Sequence, residues 1–524
     1  MARSPLFRLF SRALHLATQA NRQQMPVDEL PELYRHQRQL RRSKLRRRKF
    51  LKIMGAFGGG TMLAVGCKHS SSNAFTQKGT DAKIAIVGAG LAGLNAAYQL
   101  KKAGYRATIY EATNRTGGRM STLKDVVGKG IWTNQGAEFI NSDHEDMRSL
   151  AQEFKIPLLD RFVSEETALN DLYYFDGRTI SESELAEAFL PIARLIAADA
   201  ERLNEDWDNV SVELDALSIA EYCDRFGISG WLRKFVEVAL ISEMGLEPEE
   251  LSAMNLIGFF DGDGNADERF LVQNGTQAIT DAIARELQDQ IEIEMPLESL
   301  RDRGDGYTLT FNGTNIDADL VIIAIPFSVL RQIDLDLTLP DKLERFIRQV
   351  GYGNNVKVTT GFTRQPWRER GLSGRGTSDL PLQVFWDATQ LQPVETGALT
   401  FYLGGNTGLN SDRDSDRKNA EMYVKMLAPV IPNLQETWNE KTSRLHWPSY
   451  PYARGSYACM QPGQYTGFVL DYLYLEGDKT QECADGNLIF AGEHTSDEYQ
   501  GYMNGAAQSG RLAAQAVLKR LKAF

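Results

Sequence analysis

Four residues of this 524-residue chain have the types and spacing of a dinucleotide site: Gly88, Gly90, Gly93 and Glu111. The first glycine allows a tight turn, the second lets backbone approach a pyrophosphate, and the third lets helix and strand pack closely. An acidic residue about 20 positions further on accepts hydrogen bonds from a ribose 2′-hydroxyl. These residues predict a nucleotide site, although the glycine spacing alone would be weak evidence.

For these residues to act together, the surrounding chain must fold as a strand, a turn, a helix and a second strand. Ile84–Val87 is an apolar run typical of a buried parallel strand, residues 94–103 favour a helix, and residues 107–110 form a second apolar run. The helix N-terminus would present unpaired N–H groups and its positive dipole end to phosphates. The complete arrangement predicts a nucleotide site much more specifically than the glycines do.

Two later segments extend the pattern. Gly117, Gly118 and Arg119 follow the second apolar run, and the Arg119 guanidinium can pair with a pyrophosphate through two hydrogen bonds. Residues 486–492 are predicted to form a strand, and residues 501–518 begin with glycine and continue as an amphipathic helix. The nucleotide-binding domain is therefore predicted to be discontinuous in sequence.

Charge is distributed unevenly along the chain. The formal net charge is −11, but residues 1–66 contain 14 Lys and Arg against 3 Asp and Glu, which leaves −22 on the remainder. An acidic body repels phosphates, which argues against nucleic acid as a partner and is compatible with a cationic small substrate. The spacing of Cys67, Cys223, Cys459 and Cys483 fits neither a metal site nor a disulfide framework.

The basic N-terminal segment resembles an export signal. Residues 47–52, RRKFLK, match the twin-arginine pattern, and the uncharged residues 53–66 are too short for an ordinary membrane span. Cys67 follows a stretch that resembles a lipoprotein processing site, so a lipid anchor at Cys67 and simple cleavage nearby are alternatives. We expect export by the twin-arginine route, to the periplasm or as a membrane-anchored lipoprotein; a solvated basic helix is the plainer interpretation.

The remaining chain predicts an α/β fold with a discontinuous Rossmann-like domain and an α+β substrate domain, which has a helical part and a mostly antiparallel sheet. The helical part lacks strong strand signals. The predicted boundaries are 1–66 for the N-terminal extension and signal, 67–81 for a linker, 82–145, 266–330 and 481–524 for the nucleotide-binding domain, 146–265 for the helical part and 331–480 for the sheet.

Individual elements follow from apolar periodicity and from Gly, Pro and Asn turns. Strands are predicted at 291–293, Tyr307–Phe311, 320–325, Val356–Phe362, 382–386, 398–403 and 444–446. Helices are predicted at 180–202, 218–226, 231–244, 277–287 and 414–427, the last of them packed against the substrate-domain sheet.

Five sequence blocks carry a family resemblance: GAGLAGL…YEA, GGRM, YGNNVKVTTGF, WPSYPYARGSYA and AGEHTS…GYMNGA. In this order they resemble the FAD-dependent amine oxidase family, which includes monoamine, polyamine and L-amino-acid oxidases, and the likeness extends over residues 82–520. The resemblance implies FAD as cofactor and oxidative deamination of a primary amine or L-amino acid with O2. The products would be an imine, then an aldehyde or keto acid, with ammonia and H2O2.

The resemblance also implies a role for each matching residue. The expected cofactor contacts are Gly88, Gly90, Gly93, Glu111 and Arg119 around the ADP half, Leu297 at the adenine, Glu493 at the ribityl–phosphate region, Trp447 near the flavin and Met503 at its pyrimidine end. A helix N-terminus at Met503 would stabilise anionic reduced flavin.

Three residues match catalytic positions of the family. Lys357 matches a lysine that binds a water beside flavin N5, and Tyr457 and Tyr502 match the aromatic pair that flanks the amine. Plainer alternatives are a surface lysine on an amphipathic strand and two core aromatics. His144 and His494 are expected to be hydrogen-bonded structural residues.

The chain departs from family patterns at two places. Ser456 stands where monoamine oxidases have the cysteine that attaches FAD, and Cys459 is displaced by three residues, so FAD is expected to be non-covalent. Phe139 stands where many L-amino-acid oxidases have an arginine for the substrate carboxylate, although another arginine could serve. Glu138 beside it favours a basic substrate or caps a turn.

Two other functional classes remain open at this point. A flavin-dependent desaturase or porphyrinogen-type oxidase shares the FAD motifs but has no need for the lysine with the tyrosine pair. A non-catalytic flavin-binding lipoprotein would leave those same residues unexplained.

Overall fold

The structure is a computed structural model in which residues 82–261, 267–476 and 481–522 are described. The predicted extension, the linker and Cys67 lie outside these ranges, so the export and lipidation predictions stay predictions. Within the described ranges, no helix is both long enough and apolar enough to cross a membrane.

The strands of the described residues are numbered here in chain order: β1 Ile84–Val87, β2 Thr108–Tyr110, β3 Thr122–Lys124, β4 Trp132–Asn134, β5 Phe139–Ile140, β6 Leu158–Asp160, β7 Asn170–Phe175, β8 Arg178–Thr179, β9 Phe270–Val272, β10 Ile291–Glu292, β11 Leu297–Asp302, β12 Tyr307–Phe311, β13 Thr314–Ala318, β14 Leu320–Ile323, β15 Asp334–Asp336, β16 Gly351–Tyr352, β17 Val356–Phe362, β18 Leu372–Ser378, β19 Val384–Asp387, β20 Gly397–Leu403, β21 Trp438–His446, β22 Ala458–Cys459, β23 Ala484–Asp485 and β24 Leu488–Phe490.

The α-helices of the same residues are Leu91–Lys102, Glu145–Glu153, Ser164–Thr167, Glu182–Glu205, Trp207–Asp215, Ile219–Arg225, Gly230–Met244, Ala253–Asp261, Gln277–Glu286, Phe327–Leu330, Asp341–Gln349, Gly405–Leu409, Asp416–Leu427, Leu434–Thr437 and Met503–Leu521. Local sequence explains several of the starts. Ser218 and Glu221, for example, exchange hydrogen bonds as a capping box at the start of Ile219–Arg225.

A six-stranded sheet forms the nucleotide-binding part, in the order β10-β2-β1-β14-β24-β23. All neighbouring pairs except β24/β23 are parallel, and the strands come from widely separated parts of the chain. Helices Leu91–Lys102 and Met503–Leu521 pack against each other so closely that a Cβ on Gly510 would lie 2.3 Å from the Ala92 carbonyl oxygen. The predicted discontinuous Rossmann-like domain is confirmed.

A seven-stranded sheet forms the substrate part, in the order β21-β17-β20-β19-β18-β7-β8. Its pairs are antiparallel except for β18 and β7, and helix Asp416–Leu427 packs on β21 and β17. The predicted mostly antiparallel sheet with this helix against it is therefore confirmed.

Residues 146–265 were predicted to be helical, without strong strand signals, and this prediction was wrong in that the segment also contains strands. Its helices are present, but β6, β7 and β8 also lie within residues 146–265. β7 pairs in parallel with β18, whose sequence LSGRGTS has little intrinsic strand propensity. Both strands form because distant segments supply the backbone partners, and that information is absent from local periodicity.

The apolar cores of the two parts meet near the predicted catalytic residues. Tyr457 belongs to the core beneath the six-stranded sheet, whereas Tyr402 and Trp386 belong to the core of the helical part. A third core lies between the seven-stranded sheet and helix Asp416–Leu427. Tyr457 and Tyr402 are therefore held in place by packing in two different cores.

Candidate active site

The glycine loop begins directly after β1. Gly88 has φ +101°, a region that favours glycine, and its N–H donates to the Tyr110 carbonyl at 2.8 Å. A Cβ on Gly93 would lie 2.0 Å from the Gly88 carbonyl oxygen, so only glycine lets the following helix pack on the loop. A Cβ on Gly90 would meet no atom within 4 Å, and Gly90 lines an open cavity.

The helix after this loop starts at Leu91, three residues earlier than predicted. Its first intrahelical bond runs from Leu94 N–H to the Gly90 carbonyl at 2.9 Å, and Leu91 and Ala92 line the same cavity as Gly90. The first turn has no acidic residue. The positive end of the helix is therefore available to an anion in the cavity.

Glu111 is held firmly beside the loop and is only 8 % exposed. Its Oε2 accepts from the Ala89 N–H at 2.8 Å, and its Oε1 accepts from the N–H and hydroxyl of Thr113 at 2.9 and 2.8 Å. A carboxylate has about four lone-pair positions, and these three bonds leave one position on Glu111 for a hydroxyl group in the cavity that it lines.

The cavity beside these residues has a volume of about 440 Å³, within the usual range of small-molecule sites. Eight of the nine predicted cofactor residues line it: Gly88, Gly90, Glu111, Arg119, Leu297, Trp447, Glu493 and Met503. Gly93 is not a lining residue, since it packs behind the loop. The helix that starts at Met503 presents a second N-terminus to the same space.

These features fit FAD. The open space over Gly90 suits a pyrophosphate, Glu111 suits a ribose, and two helix N-termini suit negative charge on the pyrophosphate and on reduced flavin. The residues that would hold FAD are therefore those that line the cavity, with the glycine loop and Glu111 around the ADP half.

Arg119, which is partly exposed, and the buried Glu493 form an ion pair in the cavity wall. Arg119 Nη1 donates to Glu493 Oε1 and to the Ser456 carbonyl, both at 2.8 Å. Glu493 Oε2 accepts from the Gly501 N–H at 2.8 Å. Burial would raise the pKa of the Glu493 carboxyl, but the Arg119 guanidinium outweighs it and holds the pKa below its usual range. A bidentate pyrophosphate contact through Nη1 would have to replace these bonds.

Lys357, on β17, is buried with 5 % exposure. Its Nζ pairs with Glu138 Oε2 at 2.5 Å and donates to the carbonyls of Gly136 and Asn134 at 2.7 and 3.3 Å. These contacts use all three N–H donors of the ammonium. The surroundings are therefore not apolar, and Lys357 is not among the lining residues of the cavity.

Lys357 nevertheless reaches the back of the cavity wall. The Gly136 carbonyl that it contacts precedes Ala137, which lines the cavity. A Cβ on Gly136 would lie 1.9 Å from the Arg119 carbonyl oxygen and 3.0 Å from the Trp447 ring. Lys357 thus holds a tightly packed wall segment in place.

Glu138 is the partner of Lys357, not a residue open to a substrate. Its Oε1 accepts from the indole N–H of Trp386 at 3.2 Å, and its Oε2 is used by Lys357. The Lys357 ammonium also lies 5.0 Å from the Trp386 ring centroid. The predicted alternatives for Glu138, a basic substrate or a turn cap, therefore do not describe its contacts.

Tyr457 and Tyr502 line a second, smaller cavity of about 50 Å³, and Tyr502 also lines the large one. The Tyr457 hydroxyl contacts the Tyr402 hydroxyl at 3.2 Å and donates to the Glu243 backbone carbonyl. Burial, with the nearby Tyr402 and Glu243, raises the pKa of the Tyr457 phenol well above its usual value. Both rings are buried, and they adjoin a space beside the large cavity.

Ser456 and Cys459, the residues compared above with the FAD-attaching cysteine of monoamine oxidases, are both buried. Ser456 is buried and donates its hydroxyl to Asn355 Oδ1 at 2.6 Å. Cys459 lines the small cavity as a free thiol, and burial raises the pKa of that thiol well above its usual value.

The two histidines differ. The His144 Nδ1 accepts from the Asn141 N–H at 3.2 Å, as expected for a structural histidine. The ring nitrogens of His494 have no hydrogen-bond partner among the described residues, which contradicts the predicted hydrogen-bonded role. Burial lowers the pKa of the His494 imidazole to about 4. Across the part of the chain that the structure describes, no group of three or more His, Cys, Asp or Glu side chains is placed to hold a metal ion.

Sequence reasoning missed Tyr402, Trp386 and Glu243 and gave Glu138 the wrong partner. Tyr402 lies directly opposite Lys357 in the β17/β20 register. Opposed residues of an antiparallel pair share a face, so a known register would have revealed the contact. Periodicity predicts strands but not which residues of two strands are paired.

Comparisons with known proteins agree with this geometry. Residues 91–518 match the model of the flavin-containing amine oxidoreductase family. A flavin-containing amine oxidase of Danio rerio is 25% identical over 467 residues, covering 83% of this chain and 85% of that protein. An L-amino-acid oxidase of Siganus canaliculatus is 24% identical over 472 residues, covering 84% and 86%.

Solved structures share the fold. Cyclohexylamine oxidase from Brevibacterium oxydans has a TM-score of 0.73 at 20% identity and covers 84% of this chain and 100% of its own. A putrescine oxidase bound to putrescine has a TM-score of 0.71 at 21% identity, covering 84% and 99%. Because the family match spans most of the chain, the protein belongs to the flavin-containing amine oxidoreductases, FAD enzymes that act on amines.

Proposed function

We propose that this protein is an oxidase that deaminates a small primary amine or L-amino acid with O2. The overall reaction for an amine RCH2NH2 consumes O2 and water and yields RCHO, ammonia and H2O2. The observation that carries the proposal is the pair of buried tyrosines, Tyr457 and Tyr502, around a small cavity that shares Tyr502 with the proposed FAD cavity.

Bound FAD supplies the two-electron acceptor for the α-C–H bond and passes the electrons to oxygen. Tyr457 and Tyr502 enclose the amine and exclude water from it. The Tyr457 ring is fixed, because its hydroxyl bonds both to Tyr402 and to the end of helix Gly230–Met244. A fixed ring orients the amine without a loss of side-chain freedom on binding.

Lys357 acts in this proposal as a positioning residue. Its ammonium uses its three donors on protein oxygens, which favours a role in holding residues 134–138 over proton transfer. Within this segment Ala137 lines the large cavity, as does Trp447. Displacing the segment would change the shape of the proposed FAD site.

FAD is proposed to be held without a covalent bond. The position before Tyr457 is a serine, and the nearest cysteine, Cys459, lies in a buried strand that pairs with β16. We further propose export by the twin-arginine route, to the periplasm or a membrane anchor at Cys67, which rests on residues 47–67 of the sequence alone.

The deciding experiment is anaerobic mixing of the purified yellow protein with amines, polyamines and L-amino acids. Bleaching of the flavin, followed by one H2O2 per turnover on adding O2, is the expected result. Lys357→Met should slow flavin reduction or reoxidation strongly while FAD stays bound. If the protein binds FAD but none of these compounds reduces the flavin, the proposal is contradicted. If the flavin stays attached to the protein after acid precipitation, non-covalent binding is contradicted.

A further inference from the structure

Arg454 lies in the wall of the large cavity, and its guanidinium is not used by the protein. The residue is exposed, and its side chain forms no hydrogen bond, ion pair or ring contact with any other described residue. A guanidinium has five N–H donors and a permanent positive charge. At the edge of a cavity, such a group is available to an anion that enters it.

The other basic side chains of this wall are already engaged. Within the described residues, three arginines and no lysine line the large cavity. Arg119 pairs with the Glu493 carboxylate at 2.8 Å. Arg115 donates to three backbone carbonyls of residues 116–120, at distances between 2.6 and 3.5 Å. Arg454 is therefore the arginine of this wall that keeps its full hydrogen-bonding capacity.

The backbone at Arg454 is held in a conformation that arginine rarely adopts. Its φ is +47°, in the left-handed region that favours glycine. The Arg454 N–H donates to the Tyr450 carbonyl at 2.9 Å, and the Ala453 carbonyl accepts from the Ser328 hydroxyl at 2.6 Å. Backbone strain of this kind is concentrated at ligand sites. Here the strained and hydrogen-bonded turn fixes the point from which the guanidinium extends.

The chain around Arg454 runs from the ADP end of the cavity towards the amine site. Residues 450–452 line both the large cavity and an adjoining outer pocket. That pocket is also lined by residues 112–114, which directly follow Glu111, the carboxylate that suits a ribose. Tyr457, three positions beyond Arg454, lies beside the proposed amine site. In FAD the pyrophosphate likewise stands between the adenosine and the flavin.

We propose that Arg454 pairs with the pyrophosphate of FAD. The planar guanidinium can donate two parallel N–H bonds to one phosphate group. The glycine loop and the helix N-terminus supply backbone N–H groups and a partial charge, whereas Arg454 supplies a full charge. Arg119, the arginine predicted for this contact from the sequence, keeps its bonds to Glu493 and to the Ser456 carbonyl. The inference rests on FAD as the cofactor and is independent of which amine is oxidised.

The test measures the affinity for FAD and not the activity. Dilution of the purified holoenzyme, followed by flavin fluorescence, gives the dissociation constant of FAD. Arg454→Gln removes the charge and should raise this constant by roughly 10- to 100-fold, the range for a hydrogen bond between charged groups. Arg454→Lys keeps the charge without the planar fork and should raise the constant less.

Arg454→Gly separates a binding role from a structural one. Glycine adopts a φ of +47° without strain, but its flexibility also stabilises the unfolded chain, so the two effects on stability oppose each other. The apoprotein should therefore keep about its wild-type melting temperature, while the FAD affinity falls as far as in Arg454→Gln. A purely structural arginine would not give this separation.

Three comparisons locate the effect at the pyrophosphate. Arg417→Gln makes the same change of net charge at an exposed arginine that pairs with Glu440 and does not line the cavity, so it should keep the wild-type FAD affinity. Riboflavin has no phosphate and should bind equally to the wild-type and Arg454→Gln apoproteins. The FAD affinity should depend less on salt in Arg454→Gln than in the wild type, because one charge pair is lost.

Several outcomes would overturn the inference. One is an unchanged FAD affinity in Arg454→Gln or Arg454→Gly, and another is an equal loss of riboflavin affinity, which would place the contact at the flavin ring. If riboflavin binds too weakly to measure, an unchanged salt dependence overturns it instead. If Arg454→Gln does not fold, Arg454→Gly and Arg454→Lys still decide. If FAD affinity depends on Arg454 but no amine reduces the flavin, only the proposed function is contradicted.

Discussion

The glycine loop at one end of the large cavity is built from residues close in sequence, whereas the small cavity is walled by side chains from distant segments. Within and beside this loop, the key contacts join near neighbours, such as Gly88 with Gly93 and Glu111 with Thr113. Around the small one, Tyr457 bonds to Glu243, 214 residues away in sequence. Lys357 and Glu138, which lie behind the wall of the large cavity at Ala137, are likewise 219 residues apart.

This difference separates two tasks. A pyrophosphate and a ribose need close backbone approach and a fixed carboxylate, which a single loop provides. The proposed amine site needs the rings of Tyr457 and Tyr502 beside the same cavity, and no single segment of the chain supplies both. The cofactor part therefore tolerates little change in backbone shape, and the substrate part depends on individual side-chain pairs.

The largest expected effect breaks a side-chain pair. Glu138→Gln leaves the buried Lys357 ammonium without its counter-charge, which should cost about 3–5 kcal/mol of stability. Adding Lys357→Met should recover much of this loss, because the uncompensated charge is then removed. Urea unfolding with saturating FAD measures both. Glu421→Gln, which removes an exposed pair with Lys425, is the control and should change little; equal losses for the two glutamates would refute the argument.

The next largest effect concerns a buried basic side chain without a hydrogen-bond partner and the pH dependence of stability that it causes. Lys357 is charged and has three acceptors, whereas His494 is buried with its pKa lowered to about 4 and has no ring partner among the described residues. The unfolded chain takes up this proton near pH 6.5 and the folded one only near 4. Stability should therefore fall as pH drops from 6.5 to 4, by about 3 kcal/mol from this group.

Replacement of His494 by Phe should flatten that part of the pH–stability curve in thermal unfolding. His446→Gln is the control, because His446 is partly exposed and bonds to Ser449. If the curve keeps the same slope in His494→Phe, the imidazole is not the acid-sensitive group of this region.

The smallest expected effect separates two glycines of one loop. Gly93→Ala places a Cβ 2.0 Å from the Gly88 carbonyl and should destabilise the apoprotein by about 1–3 kcal/mol or more. Gly90→Ala meets no protein atom within 4 Å and has φ −72°, so the apoprotein should keep its melting temperature. Its FAD affinity should fall at least about tenfold, or about 1.4 kcal/mol. Similar behaviour of the two variants would contradict the cavity assignment.

Much of the cofactor part could be predicted because its signals are local. The loop, Glu111 and the strands Tyr307–Phe311 and Val356–Phe362 lie where periodicity and glycine spacing indicate. The helix start at Leu91 was misplaced by three residues because Gly93 weakens helix propensity while its packing on Gly88 requires glycine. Strands β7 and β18 were missed, since their partners alone stabilise them.

The sequence by itself determined the nucleotide site and the α/β class, because a glycine turn and apolar runs act through bonds between residues close in the chain, and the resemblance of five sequence blocks implied the family and FAD. Only the tertiary structure decided that Glu138 pairs with Lys357, that the Tyr402 and Tyr457 hydroxyls are in contact, and that the Tyr457 hydroxyl donates to the Glu243 backbone carbonyl. These contacts depend on strand register and on the meeting of two cores. Burial makes the pairing of Glu138 with Lys357 necessary, because an ionised carboxylate removed from water is destabilising unless it is paired with a cation.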